Sequence, residues 1–288
     1  MKFAQMMVGG AACAVIEESG KWYQLTHPLH TYLGKGNLRP FDPAQLGARP
    51  IEVGKDAFIS PLHEVSRVLC VGLNFTDHAA EVGADIPSHP TIFTKFGNAL
   101  IGPGDPIQLP YESKAIDWEV ELCAVMGKGG RHIPEERALD HLLGFTVLND
   151  VSVRDWQGRT SEWFQGKNWD ATTPFGPVIV SPDELDIASG LAMTCTVDGQ
   201  IRQQGSTANL IFSPEEVIAY ISTFMTLEPG DLIALGTPAG VGLSIRPRRW
   251  LAAGQTVTTS IEGIGTLTNV CSAPLEPSYE GEPYPPRN

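Results

Sequence analysis

Three acidic side chains, Glu119, Glu121 and Asp150, offer the chemistry of a hard-cation site. The two glutamates fall in the run Asp117-Trp118-Glu119-Val120-Glu121, and Asp150 follows Asn149 after an apolar stretch. In a strand, side chains alternate, so Glu119 and Glu121 point to one face. Their neighbours Ile116, Trp118, Val120, Leu122, Val125 and Met126 are apolar. Two like charges at the edge of a core are costly unless a cation or a proton neutralises them. All-oxygen ligation suits Mg²⁺ or Mn²⁺, and three protein ligands leave positions for water or substrate. A solvated Glu-x-Glu face is the alternative, and the second acidic position argues against it.

A second pair lies upstream. The run from Asn74 to Gly83 follows an apolar strand and reads as a short helix capped by Thr76 or Asp77 and ended at Gly83. His78 and Glu81 are three residues apart, on one helical face and within hydrogen-bonding reach. A carboxylate so placed orients an imidazole and raises its basicity, as a general base requires. Gly72, Gly83 and Pro87 bracket this segment, so residues 74–89 are expected to form a mobile lid that excludes water when substrate binds.

The elements that must position these groups are mostly short strands. Val68–Leu73, Thr91–Lys95, Glu119–Met126, Gly144–Leu148, Val178–Val180, Met193–Val197, Leu232–Leu235 and Gln255–Ile261 read as β, while Pro134–Leu143 and Pro214–Met225 read as helical. Ser213 before Pro214-Glu215-Glu216 is a strong helix start. No regular strand-helix alternation is present, so a doubly wound sheet is disfavoured and a β-rich α+β fold is expected. Gly9-Gly10 between apolar runs predicts a hairpin, rather than a signal peptide, for Phe3–Ile16. Residues 1–62 read as a small N-terminal domain and linker, 63–272 as the catalytic domain, and 273–288 as a proline-rich tail, disordered or draped on a partner subunit.

Composition narrows the class. A formal net charge of −13 argues against a nucleic-acid partner. No apolar run reaches the roughly 18 residues that span a bilayer, so no membrane association is expected. Five scattered cysteines give neither zinc spacing nor a disulfide framework, and a cytoplasmic setting follows. Gly236 to Gly242 lacks the Lys-Ser/Thr ending of a phosphate loop and reads as a tight turn. His132 and His141 have no paired ligands nearby and are expected to be exposed or on a helix face.

Eight ordered blocks, from VGLNFTDHAAEVG (71–83) through DWEVELCAVMGK (117–128), GFTVLNDVSVRD (144–155), FQGKNWDATTPFGP (164–177) and LEPGDLIALGTPAGVG (227–242) to IEGIGTLTN (261–269), make the chain similar to the fumarylacetoacetate hydrolase family over about residues 65–272. The resemblance implies that family's mixed β-sandwich or roll with a small N-terminal domain. It implies Mg²⁺, Mn²⁺ or Ca²⁺ on Glu119, Glu121 and Asp150, the carboxylates already singled out. His78 and Glu81 match its lid dyad, Lys167 its catalytic lysine, and Arg154 and Gln157 its substrate contacts. Gly236 and Thr237 match a substrate-carboxylate cradle, and Lys95 lies on a site-lining strand. The basic segment Ser244–Gly254 departs from the family pattern.

The implied activity is hydrolysis of a C–C bond in an acylpyruvate or 2,4-diketo acid. It would proceed through a metal-stabilised pyruvate enolate, with water activated by His78 and Glu81. Decarboxylation, hydration or keto-enol isomerisation of a related 2-keto acid through the same enolate is the alternative, and a non-enzymatic binding module is the rival from another class. The family resemblance and the many apolar turn segments, such as Phe175 to Val180, also imply a homodimer.

Overall fold

In a computed structural model, which describes residues 1–34, 42–54, 57–62, 65 and 67–274, Gly9-Gly10 joins strands β1 (Lys2–Val8) and β2 (Ala11–Glu18) as a hairpin. The expected turn is therefore present. Next come β3 (Val68–Gly72), α1 (Thr76–Val82) and β4 (Thr91–Lys95). β5 (Val120–Met126), β6 (Leu142–Asn149), α2 (Arg154–Gln157), α3 (Phe164–Lys167) and β7 (Thr173–Val180) follow. The last third holds β8 (Ala192–Val197), β9 (Gln200–Ser206), α4 (Pro214–Phe224), β10 (Leu232–Ala234), β11 (Thr256–Ile261) and β12 (Gly265–Ser272).

The large sheet runs β2-β1-β7-β6-β5-β10-β3-β4 along its main path. Along this path neighbouring strands are antiparallel except where β10 meets β3, and off it Leu100–Ile101 pairs parallel with the start of β7. A smaller sheet, β9-β8-β11-β12, packs beside it, antiparallel except where Ile107–Gln108 pairs parallel with the end of β12. The fold is thus the β-rich, mixed-sheet arrangement that the pattern of short strands implies.

Alternation along β5 sorts the core. Leu122, Ala124 and Met126 join one apolar cluster with Met193, Cys195 and Val257 of the smaller sheet and Val217, Ile218 and Ile221 of α4. Cys123 and Val125 join another with Phe3, Ala14 and Ile16 of the N-terminal hairpin. Glu119 and Glu121 have the parity of this second set, so they continue a buried face rather than a solvated one. β1 pairs with β7, with Phe3 opposite Ile179. The N-terminal hairpin therefore shares both a sheet and a core with the strands that follow.

Local expectations and structure differ in three places. Pro134–Leu143 is not an α-helix: Glu135–His141 forms a 3₁₀ turn, and Leu142 already opens β6 opposite Met126. The sheet takes Leu142 and Leu143 because only Ala138 of the turn is buried. The strand expected at Val178–Val180 begins at Thr173, its start disguised by Pro174, Gly176 and Pro177. Phe75, not Thr76 or Asp77, caps α1, which ends at Gly83 in the left-handed conformation as expected. The start of α4 is as read: Ser213 accepts the Glu216 N–H while the Glu216 carboxylate accepts that of Ser213.

The tail beyond residue 274 and residues 63, 64 and 66, where the N-terminal unit was expected to end, lie outside the described residues. No helix among those described is long and apolar enough to cross a membrane.

Candidate active site

The β5–β6 pair brings the three carboxylates together. Val120 stands opposite Asn149, so Glu119 and Asp150 meet at the strand ends. There the Asp150 N–H donates to the Glu119 carbonyl at 2.9 Å, and the Asn149 side-chain oxygen accepts the Glu119 N–H at 2.9 Å. Glu119, Glu121 and Asp150 are all buried, with their ligating atoms within 4.8 Å of one another.

Three cations converge on the same carboxylates. Lys167, buried on α3, donates to Glu119 Oε2 and Asp150 Oδ2, both at 2.6 Å. Lys95, fully buried at the end of β4, donates to Asp150 Oδ1 at 2.7 Å and to the Val151 carbonyl at 3.0 Å. Arg154 reaches Glu119 Oε1 at 2.5 Å, Asp117 Oδ2 at 2.8 Å and Gln157 Oε1 at 2.9 Å. Burial alone would raise the Glu119 carboxyl, but Arg154 and then Lys167 outweigh it and hold the group well below the usual carboxylate range. Burial would likewise depress Lys167, yet Asp150 and Glu119 keep it above an ordinary lysine.

Glu121 is the exception. Its nearest donor is the Gly236 N–H, at 2.8 Å, and burial, Asp150 and Glu119 together push its carboxyl well above the usual value. Asp117, Glu119, Glu121 and Asp150 outnumber Lys95, Arg154 and Lys167 by one negative charge. A buried carboxylate with this deficit, beside two others with converging oxygens, is the environment a small divalent cation neutralises. The residues present therefore fit such an ion.

His78 of the His-Glu pair borders the same cavity as Glu119, Glu121 and Lys167. His78 Nδ1 lies 3.0 Å from Glu81 Oε2, and Glu81 Oε1 accepts the Gly240 N–H at 2.9 Å. Burial raises the Glu81 carboxyl, but the hydrogen bonds from His78 and Gly240 more than offset this and lower it. The stem of the expected lid is anchored: Asn74 is buried, donates to the Phe212 and Leu235 carbonyls and accepts the Phe212 N–H. His78, Glu119, Glu121, Arg154, Gln157 and Lys167 all line one cavity of about 570 Å³, within the range of small-molecule sites.

Gly236 and Thr237 border the same cavity, but their hydrogen bonds turn inward. The Gly236 N–H goes to Glu121, and its φ of 91° needs a glycine. The Thr237 hydroxyl donates to the Val120 carbonyl at 2.9 Å and accepts from Gln203 at 2.7 Å. Both thus hold β5 and its glutamates in place. His132 and His141 lie away from this cavity, and the five cysteines are buried thiols.

Sequence reasoning gave no role to Asp117 and Gln203. Asp117 accepts N–H groups from Trp118, Gly242 and Leu243 as well as Nε of Arg154, and burial still raises its carboxyl. Its place in the Asp-Trp-Glu run was the available signal. Gln203, from β9, had none. Its amide links Val120 to Thr237 and to the Pro238 carbonyl. Asp155, next to Arg154 in the chain, accepts from Ser113 at 2.6 Å.

Arg154 is therefore tied to its own carboxylates. Arg154→Ala is expected to lower stability by about 3 to 5 kcal/mol, because it leaves Asp117 and Glu119 buried without it. A urea midpoint unchanged from wild type would contradict this.

Comparison with known proteins places the chain in a family. Residues 67–272 match the model of the fumarylacetoacetate (FAA) hydrolase C-terminal family. The human mitochondrial oxaloacetate tautomerase FAHD2A is 42% identical over 214 residues, spanning 74% of this chain and 68% of the human protein. A putative hydrolase of Burkholderia cenocepacia (strain HI2424) is 42% identical over 234 residues, 81% of this chain and 82% of its own. Among solved structures, the fumarylacetoacetate hydrolase of the psychrophile Exiguobacterium antarcticum superposes with a TM-score of 0.82 at 35% identity, covering 95% of this chain and 99% of that one. The 5-carboxymethyl-2-hydroxymuconate delta-isomerase of Mycobacterium smegmatis gives 0.76 at 32% identity, covering 94% and 98%. With residues 67–272 matched by the family model and its fold shared with solved members, this chain belongs to the fumarylacetoacetate hydrolase family.

Proposed function

We propose that the chain is a divalent-metal-dependent enzyme that interconverts the keto and enol forms of a small 2-oxo acid with an acidic C3, of the oxaloacetate type. One observation carries the reading: a carboxylate-held histidine, His78, lines the same cavity as Glu119 and Glu121. The similarity to oxaloacetate tautomerases at about 40% identity supports it. Mg²⁺ or Mn²⁺ on Glu119, Glu121 and Asp150 would supply Lewis-acid stabilisation of enolate charge.

The protein's own groups do the rest. With Nδ1 bonded to Glu81, His78 offers Nε2 to take the C3 proton of the keto form and to return it in the reverse direction. Glu81, kept ionised by His78 and the Gly240 N–H, balances the imidazolium formed in between. Lys167 places its ammonium beside the oxygen that gains charge, and α1 covers the cavity against water.

Hydrolysis of an acylpyruvate is the second reading. The cavity of about 570 Å³ favours it, having room for an acyl tail and a water as well as a four-carbon acid. One experiment separates the two. Enol absorbance and pyruvate release are followed for oxaloacetate and acetylpyruvate, with Mg²⁺ and with EDTA. Faster enol decay without pyruvate marks a tautomerase, and diketone loss matched by pyruvate marks a hydrolase. Rates indifferent to EDTA would overturn both.

The working unit in this reading is a homodimer. Phe96 and Phe164 are each about half exposed and meet edge-on at 5.6 Å, an apolar pair that a second subunit would cover. Light scattering should give twice the 31.1 kDa of one chain. A single-chain mass that persists on concentration would exclude the dimer.

A further inference from the structure

Trp163 lines the cavity and is seated where only glycine allows it. A Cβ on Gly72 would stand 2.4 Å from Cζ3 and 2.8 Å from Cη2 of the indole, so the ring lies directly on the β3 backbone. Phe93 meets it edge-on, with centroids 5.3 Å apart. Lys167 Nζ lies 4.9 Å from the Phe93 centroid on its way to Glu119 and Asp150. The order outward from the carboxylates is therefore Lys167, Phe93, Trp163. Trp163 caps the short helix that carries Lys167, so the ring and the charged centre belong to one turn of backbone.

We propose that Trp163, seated on Gly72 and braced by Phe93, is the specificity wall of this cavity. It receives what the substrate carries beyond C4, past the position of the second carboxylate of an oxaloacetate-type acid, and selects an uncharged, apolar substituent of limited length. This rests on the 2-oxo acid reading above and narrows it. A group that passes Lys167 meets two aromatic rings, with Val82 of the lid and Leu243 lining the same space. Among the described lining residues, the cations Arg154 and Lys167 are directed at Asp117, Glu119 and Asp150. A carboxylate at the far end of such a tail would lie against rings with no uncommitted lysine or arginine among the described lining residues, which is costly. An alkyl or acyl tail gains by burial there, each added methylene leaving water for an apolar wall. Length is limited because the Gly72 and Phe93 contacts leave the indole no room to withdraw.

N-alkyl oxamates test this directly, as inert chelating mimics of a 2-oxo acid that carry a tail of chosen length. Their affinity for the Mn²⁺-loaded protein is measured calorimetrically from N-methyl to N-hexyl, with an ω-carboxylated tail for comparison. Wild type should favour short alkyl tails over longer and over carboxylated ones. Trp163→Ala should move the optimum to longer tails and weaken the short ones by about tenfold or more, with Mn²⁺ affinity retained. Trp163→Phe should fall between, and it decides the case if the alanine variant loses Mn²⁺.

An unchanged length profile in variants that keep Mn²⁺, or a preference for the carboxylated tail, would overturn the wall while leaving the 2-oxo acid reading in place. Failure of every oxamate to bind Mn²⁺-loaded wild type would overturn both.

Discussion

Glu121→Gln is expected to cut turnover by on the order of 10³-fold or more, the loss that follows when several kcal/mol of Lewis-acid stabilisation disappear, while leaving the metal-free protein at least as stable as wild type. Glu121 is buried beside Asp150 and Glu119, and among the described residues no lysine or arginine is bonded to it. Its carboxyl is raised well above the usual value by burial first, then by those two neighbours. In the metal-free protein the folded state therefore binds a proton that the unfolded chain releases near its ordinary carboxylate pKa. Stability is fully present below that unfolded value and is lost as pH rises toward the folded one. Glutamine copies the protonated form and removes this loss.

Asp150→Asn should abolish turnover as well but behave oppositely in stability. It takes away the shared acceptor of Lys95 and Lys167, two buried ammonium groups. Leaving them short of charge should cost several kcal/mol. Thermal melts of both variants from acid to neutral pH, with and without Mg²⁺, check the pair. Equal destabilisation of the two metal-free proteins would show that Glu121 is not the uncompensated group.

The contrast between these two glutamate and aspartate variants marks where the sequence stops being readable. Strand parity already placed Glu119 and Glu121 on one face, because alternation is a local property of the chain. The same rule could not say which of them has a cation. Lys95, Arg154 and Lys167 arrive from three separate elements, and although Trp163, Phe164 and Trp169 around Lys167 suggest an apolar setting, lysine is ordinarily exposed and its neighbours do not say which carboxylate it meets. Gly236 and Thr237 were read as a cradle for substrate, yet their hydrogen bonds support Glu121 and β5. Only the distant strand partners reveal that. The 3₁₀ turn at Glu135–His141 was misread as a helix because its end is claimed by long-range pairing, with Leu142 drawn opposite Met126. The prolines of β7 hid a long strand for the converse reason, breaker residues tolerated where the ladder already has gaps.

His78→Ala is expected to lower kcat by about 10² to 10⁴-fold with little change in substrate affinity, the range lost when a positioned general base is removed. His78 is not among the converging carboxylates and bonds to Glu81 rather than to any of them, so Mn²⁺ affinity should remain that of wild type. Glu81→Gln gives the finer test. Its amide can still meet the Gly240 N–H through the side-chain oxygen and keep α1 docked, but it no longer balances an imidazolium. Its kcat should fall less than that of His78→Ala, and more steeply than its KM rises. Glu81→Ala removes the Gly240 contact too, which should add a loss of affinity as the lid loosens from the Gly236 to Gly242 turn. Steady-state kinetics on whichever 2-oxo acid the wild type turns over distinguish the three. Wild-type kcat in His78→Ala would take the proton transfer away from this helix and leave Lys167, already bonded to Glu119 and Asp150, as the remaining cavity group able to carry a proton to carbon.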